Sequence, residues 1–450
     1  MSGELPLRSR AALLAGRGVA EVSKAARVGT GSVIGGRVSL GLDRNLLGTL
    51  ARGRDVALVS ATNGKTTTTH LLATALSRHG PVVSNSLGAN MPPGIVAALS
   101  SADPAARAVL EVDERWLASV LHDVGPATVL LLNLSRDQLD RSHEVRRIAD
   151  TWRETLRDEP TRHVVANADD PLVVWAASEA PSVIWVGTAA HWTNDATGCP
   201  SCGGRIEFTS GIPAERRRAD EPAERSGADG SASSAHDSWR CTDCSFAKPD
   251  PDWWLELHEG RAAVHRRDGD PVPLELALPG RVNAANAAMV VAAAVAMGAD
   301  AERAAAALAT VESVAGRYRT AAIGDARVRL LLAKNPAGWQ EAIDMLGPAP
   351  RPVIAAINAR IADGRDPSWL WDVPFERLAG RVVVALGERR HDLAVRLRYA
   401  EVEHVVASTL DEAVALAHAR AQADTGADDV DLIANYTAFQ DYLDETDSRS

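Results

Sequence analysis

The chain has 450 residues with a hydrophobic fraction of 46%, too long for one ordinary domain and apolar enough for buried cores, so two or three globular domains are expected. A net charge of -11 without a basic stripe argues against sequence-independent nucleic-acid binding, although a local nucleotide pocket remains open. Apolar stretches such as Met289 to Met297 are too short to span a bilayer and no signal-peptide pattern opens the chain, so a cytoplasmic protein without a transmembrane segment is expected.

Residues 5–28 show the apolar spacing of an amphipathic helix, with Leu5, Leu7, Ala12, Leu13, Val19 and Val22 as expected core contacts. The glycine-rich stretch Gly29 to Gly41 is expected to break regular structure. Val56-Ala57-Leu58-Val59-Ser60 then suits a buried parallel strand. The loop Ala61 to Lys65 follows, and a helix is expected from Thr66 to about Arg78. Strand-like runs recur at Ala108–Val112, Thr128–Asn133, His163–Asn167 and Ser182–Val186, with helical patterns between them. Such alternation implies a parallel sheet covered on both faces. Between about 195 and 250 two cysteine pairs bracket a polar tract, Ala214 to Ser238, with the composition of a disordered loop. Residues 283–298 read as an Ala-rich helix, with another at 300–310. From about 326 a second α/β pattern begins, with strands near Arg327–Ala333, Pro352–Asn358, Arg381–Leu386, His404–Ala407 and Asp431–Asn435. No internal repeat is visible.

The segment Ala61-Thr62-Asn63-Gly64-Lys65-Thr66-Thr67 places small residues between a strand and a helix. A tight turn there points backbone N–H groups at an anion, and the helix dipole adds to the attraction. Lys65 would reach the β- and γ-phosphates of ATP, and a hydroxyl from Thr66 or Thr67 would hold Mg²⁺. A generic phosphate loop has Gly where this chain has Val59. Cys199-Pro-Ser-Cys202 and Cys241-Thr-Asp-Cys244 contain all four cysteines of the chain. Two such knuckles can set four thiolates around a structural Zn²⁺ with no open position for water, a redox role being the alternative.

The phosphate loop resembles that of Mur ligases and folylpolyglutamate synthases, which usually have Gly where this chain has Ala61. Further stretches resemble that family in order: Leu110 to Glu114, Asn133 to Arg141, Asn167 to Pro171, Leu278 to Asn286, and Gly316-Arg317. The resemblance implies Thr62, Asn63, Gly64, Lys65, Thr66, Thr67, Asn286 and Arg317 as ATP-binding residues, with Thr66 and Glu111 holding Mg²⁺. Two departures stand out. Gln138 replaces the family's histidine, and no lysine lies between Lys65 and Lys248 to serve as the carbamylated lysine of ordinary Mur enzymes. The stretch before the phosphate loop is also too short for the usual nucleotide-sugar domain.

Leu332 to Trp339 and Ala362-Asp363-Gly364-Arg365-Asp366-Pro367-Ser368-Trp369-Leu370-Trp371-Asp372 resemble the MurT family, the Mur-ligase-like subunits of lipid II isoglutaminyl synthases. The expected fold is α/β: a Mur-ligase-type central P-loop domain over 1–325, with a four-cysteine zinc ribbon inserted at about 195–250, and a C-terminal Rossmann-like α/β domain over 326–450. What the resemblance implies is ATP-dependent activation of the D-glutamate α-carboxylate of lipid II and its amidation to D-isoglutamine, at the inner face of the cell membrane. Ammonia would come from a GatD-type glutamine amidotransferase partner that contacts the C-terminal domain. An aspartate of that domain would complete the partner's catalytic triad. Asp363, Asp366 and Asp372 are the candidates; Asp366 is preferred, its alternative being a turn or helix-cap role before Pro367. Trp369 and Trp371 read either as interface anchors or as core aromatics. A stand-alone amino-acid ligase and a non-catalytic nucleotide-binding scaffold are the competing readings.

Overall fold

A computed structural model describes residues 5–25, 32–85, 89–125, 127–136, 145–189, 195–209, 238–258, 260–312, 318–347 and 349–447. In chain order its strands are β1 (Val56–Ser60), β2 (Val82–Ser84), β3 (Arg107–Val112), β4 (Ala127–Leu131), β5 (Thr161–Asn167), β6 (Val183–Gly187), β7 (Ile206–Thr209), β8 (Ser238–Cys241), β9 (Trp253–His258), β10 (Arg261–Arg266), β11 (Val272–Leu274), β12 (Tyr318–Ile323), β13 (Ala326–Leu332), β14 (Val353–Ala356), β15 (Val383–Leu386), β16 (His404–Val406) and β17 (Asp429–Ala434).

Nine strands form the first sheet in the order β11-β10-β9-β6-β5-β4-β1-β3-β2. The run from β2 to β9 is parallel, and β9, β10 and β11 close it as an antiparallel meander. All five residues of β1 are buried, as an unbroken apolar run in a doubly covered sheet requires. Helices Lys65–Ser77 and Arg281–Ala296 cover one face, and helices Leu46–Ala51, Pro92–Ser100, Leu117–Val124, Val145–Asp158 and Pro171–Ala177 the other. Because β1 lies between β3 and β4, successive connections leave it in opposite directions. That reversal opens a crevice beyond the carboxyl ends of these strands, where open α/β sheets bind ligands.

The second sheet has the order β12-β13-β17-β14-β15-β16, parallel except for β12. It starts with Tyr318, before the expected boundary at 326, because β12 pairs along its whole length with β13. Trp339, fully buried, packs against Trp369 and Phe375 at ring-centroid distances of 6.4 and 5.5 Å. Trp369 is therefore a core aromatic, whereas Trp371 is 54% exposed and stands edge-on to Tyr399.

The N-terminal region departs from the sequence reading. Helix α1 (Leu7–Ala25) is present, but Leu7 and Val22 are exposed and the buried positions are Ser9, Ala12, Leu13, Gly16 and Ser23. Within the glycine-rich stretch Ser32–Leu42 forms a second helix, α2, rather than irregular structure, while residues 29–31 lie outside the described residues. Close packing explains both results. A Cβ on Gly35 would lie 2.6 Å from the Gly16 carbonyl oxygen, and one on Gly36 would lie 1.9 Å from that of Pro93. Here glycine lets backbones meet, and tertiary contact overrides its poor helix propensity. Gly36→Ala should lower stability by about 1–3 kcal/mol through overpacking, read as a lower calorimetric transition temperature. An unchanged transition would show that α2 does not rest on Pro93.

Candidate functional site

Gly64 ends the phosphate loop with φ +82° and immediately precedes the first helical residue, Lys65. A Cβ at this glycine would be strained and would lie 3.0 Å from Oδ1 of Asn286, so the Asn286 side chain is seated on the loop. The loop is tied to the end of β4. Thr62 N–H donates to the Asn133 carbonyl at 3.0 Å, and Asn63 N–H to Asn133 Oδ1 at 2.9 Å. Thr62 Oγ1 donates to the Ser135 carbonyl and accepts from Ser135 N–H, both at 3.0 Å.

Lys65 is almost fully buried. Its ammonium donates to the carbonyls of Ala61 and Thr62 and to Glu114 Oε2, the last at 3.0 Å. Both charged side chains are about nine-tenths buried, so Glu114 compensates the lysine where solvent does not. Glu111, next to the last residue of β3, lies opposite Val59 and is 2% exposed. Asn85 holds its backbone through two hydrogen bonds, and Asn90 Nδ2 donates to its carboxylate at 3.2 Å. Thr66, in the first turn of the helix Lys65–Ser77, and the Glu111 carboxylate carry the hard oxygen donors that would suit Mg²⁺.

A cleft opens beside the loop, lined by Asn63, Asn167, Asp169, Asp170 and Asn286 and by Gln340 and Glu341 from the C-terminal part of the chain. Its lining mixes these polar groups with apolar Leu132, Val282 and Met289, as small-molecule sites do. An adjoining cleft is lined by Gly64, Thr67, Asn286 and Lys334. Burial pushes the Asp170 carboxyl up to about 6, even though backbone N–H groups of Leu134, Leu172 and Val173 donate to it. Arg317 and Gln138 lie outside the described residues.

Asn335 joins the two sheets. Its amide and that of Asn63 exchange hydrogen bonds at 3.2 and 3.3 Å, while its Oδ1 also caps the helix Pro336–Asp344 through Gly338 N–H. Arg136 makes a second link, pairing with Asp195 and, at 3.3 Å, with Asp372. Sequence reasoning missed the Asn335 link, although Asn-Pro before a helical pattern marks a cap. Asn335→Ala should cost about 1 kcal/mol from the cap and raise the KM for ATP by freeing Asn63. Nucleotide titration checks this: an unchanged KM would make Asn335 a cap alone.

The three C-terminal aspartates differ. Asp363 is 4% exposed and spent on Thr437 and on Arg360 N–H. Asp372 is paired with Arg136. Asp366 faces solvent and caps the 3₁₀ helix Pro367–Asp372, and the Ser368 N–H it accepts holds its carboxyl below the usual range. Asp366 lines neither cleft.

The four cysteines converge, all sulfurs lying within 4.8 Å of one another. Cys199 and Cys244 are 3.7 Å apart, and Cys202 and Cys241 3.5 Å. Zn–S bonds of about 2.3 Å in a tetrahedron require S···S separations of about 3.8 Å, so the set fits Zn²⁺. Backbone N–H groups of Gly204 and Asp243 point at two of the sulfurs, as in zinc knuckles. Trp239, in β8, fastens this ribbon to the first sheet by donating to the Ala168 carbonyl at 3.0 Å. Beyond the ribbon, Lys248 reaches Asp169 of the cleft beside the loop with its ammonium 2.5 Å from Oδ1, a contact that sequence reasoning did not foresee.

A parallel sheet with the Asn-Gly-Lys loop at its switch point and a second α/β sheet against that loop have the fold of Mur-type ligases. A family model described as the Mur ligase middle domain matches residues 59–204, and one described as MurT ligase C-terminal matches 332–439. The fold is shared with a pseudomurein peptide ligase type C from Methanothermus fervidus (TM-score 0.62, 17% identity, 88% of this chain and 79% of that one). MurF from Acinetobacter baumannii is similar at TM-score 0.60 and 16% identity, covering 91% and 80%. Curated relatives are more specific. The chain is 32% identical to the MurT subunit of lipid II isoglutaminyl synthase (glutamine-hydrolyzing) from Streptococcus pneumoniae (strain ATCC BAA-255 / R6), over 87% of each chain. It is 26% identical to the subunit of the same name from Staphylococcus aureus (strain COL), over 83% and 84%. The chain belongs to the MurT family of ligases.

Proposed function

We propose that the protein activates the D-glutamate α-carboxylate of lipid II with ATP and amidates it to D-isoglutamine, using ammonia released by a GatD-type glutaminase. A carboxylate is a poor electrophile. Attack of its oxygen on the γ-phosphorus expels ADP and leaves an acyl phosphate; ammonia then attacks the acyl carbon and phosphate departs with that oxygen. Lys65 would bind the transferring phosphoryl group, exchanging its contact with Glu114 for phosphate oxygens. Thr66 and Glu111 would hold Mg²⁺, which neutralises phosphate charge when bound. Asn286 would contact adenine, and Arg317 would complete the nucleotide site.

The observation that carries this reading is the Asn63–Asn335 pair, which sets the start of the segment matched as MurT-type directly against the phosphate loop. Asp366 would orient the partner's histidine across the subunit interface; of the three candidates it is the one that faces solvent with its carboxylate engaged only locally, by its own helix cap. Such a reaction would take place in the cytoplasm, at the inner face of the membrane that carries the lipid substrate.

Incubating the chain with lipid II, ATP, Mg²⁺ and glutamine, with and without the glutaminase, tests the reading. It predicts amidated lipid II only with the partner, and amidation by the chain alone when ammonium replaces glutamine. Addition of an amino acid in place of ammonia would restore the stand-alone ligase, and nucleotide binding without turnover would leave a scaffold. Zinc is expected at one equivalent per chain. Stripping it, or Cys199→Ser, should loosen the ribbon and its Lys248–Asp169 contact. Elemental analysis and limited proteolysis check this, and a metal-free chain with unchanged protection would remove zinc from the account.

A further inference from the structure

Helix α1 buries Ser9, Ala12, Leu13, Gly16 and Ser23 on one face, largely against α2. At about 100° per residue, its opposite face carries Leu7, Ala11, Leu14, Gly18, Val22 and Ala25 within about 80° of arc. All six are exposed, with Leu7 at 83%, Leu14 at 69% and Val22 at 70%. Exposed cations flank this stripe: Arg10, Arg17 and Lys24 on one side, Arg8 on the other. Arg8 and Arg17 donate to the carbonyls of Leu42 and Ser100, neutral acceptors that leave the guanidinium charge in place. Lys24 pairs with Glu21, the one carboxylate of the helix, at 2.9 Å. Four cations and one carboxylate give α1 a net +3 in a chain of net -11, so the remainder carries -14.

We propose that α1 is an interfacial anchor lying in an anionic membrane surface, its apolar stripe at the acyl-chain boundary and its cations among the headgroups. An apolar stripe between cationic flanks is what such a surface binds, since burial and attraction to anionic lipid act together while the long basic side chains reach back to the headgroups. Charge complementarity selects this occupant. A second copy would set two net-positive faces against each other across a twofold axis. The negative remainder of the chain is repelled by anionic lipid, so α1 also sets the docking orientation. This inference goes beyond the proposed reaction, and its test requires neither lipid II nor ATP.

The test is co-sedimentation of the full chain with phosphatidylcholine vesicles, with and without phosphatidylglycerol, at low and high salt. Binding should need phosphatidylglycerol, weaken with salt, and fall about tenfold or more in Leu7→Glu/Leu14→Glu. Both leucines are mostly exposed, so the variant should keep the parent's thermal transition. Arg10→Gln/Lys24→Gln, which keeps the stripe, should weaken binding to anionic vesicles only. Equal binding to neutral vesicles, or no difference between parent and either variant, would overturn the anchor. So would a dimer, or a complex with the glutaminase, that the leucine variant abolishes.

Discussion

Lys65→Met is expected to reduce ATP-dependent amidation by about a thousandfold or more, equivalent to roughly 4 kcal/mol of transition-state stabilisation. The substitution removes the ammonium that the fold places at the phosphate loop, directly after Gly64. It also leaves Glu114 in a nearly buried position without its cation. Removing one partner of such a pair costs more than the pair contributes, so some loss of stability is expected alongside the loss of rate. Lys65→Met/Glu114→Gln separates the two effects: the second change should restore the thermal transition but not the rate. Activity close to that of the parent with restored stability would take Lys65 out of the phosphoryl-transfer step.

Asp366→Asn carries the second large effect, and it should be selective. With glutamine as nitrogen source, amidation by the complex is expected to fall about a hundredfold or more, because an amide cannot stabilise an imidazolium or fix its tautomer as a carboxylate does. With ammonium as source the rate should be unchanged, since Asp366 lines neither cleft. Asparagine retains an oxygen for Ser368 N–H, so the 3₁₀ cap should survive. Equal losses with both sources would mean that the substitution disturbs the ligase itself, and Asp366 would then be only a cap. Arg136→Gln, which releases Asp372, offers the contrast, since it breaks a link between the sheets and should affect both nitrogen sources alike.

The elements that sequence revealed are those where local chemistry and global fold agree. An unbroken apolar run at β1 followed by Asn-Gly-Lys marked a buried strand turning tightly into a helix, and four cysteines in two knuckles needed only proximity to make a cluster. What stayed hidden depends on partners distant in the chain. The glycines of α2 read as breakers because their use, contact with Gly16 and Pro93, is tertiary. Leu7, Val19 and Val22 read as core because apolar spacing does not say which face is covered. The meander β9–β10–β11 escaped notice because Glu256, Arg261, His265 and Arg266 interrupt its apolar pattern. In the site, residues within one motif were readable, while contacts between motifs were not. Asn63 and Asn335 are separated by 272 positions, and nothing in either motif announces the other.

In the proposed reaction the chain makes a carboxylate reactive by phosphorylating it and hands it to ammonia. The most direct measurement follows the oxygen. Lipid II carrying ¹⁸O in the D-glutamate α-carboxylate would be incubated with the chain, ATP and Mg²⁺, with ammonium as the only nitrogen source, and the phosphate released would be analysed by mass spectrometry. The account predicts one labelled oxygen in each phosphate, formed in step with D-isoglutamine. Amidated product with unlabelled phosphate, or labelled phosphate with an amino acid joined in place of ammonia, would contradict it.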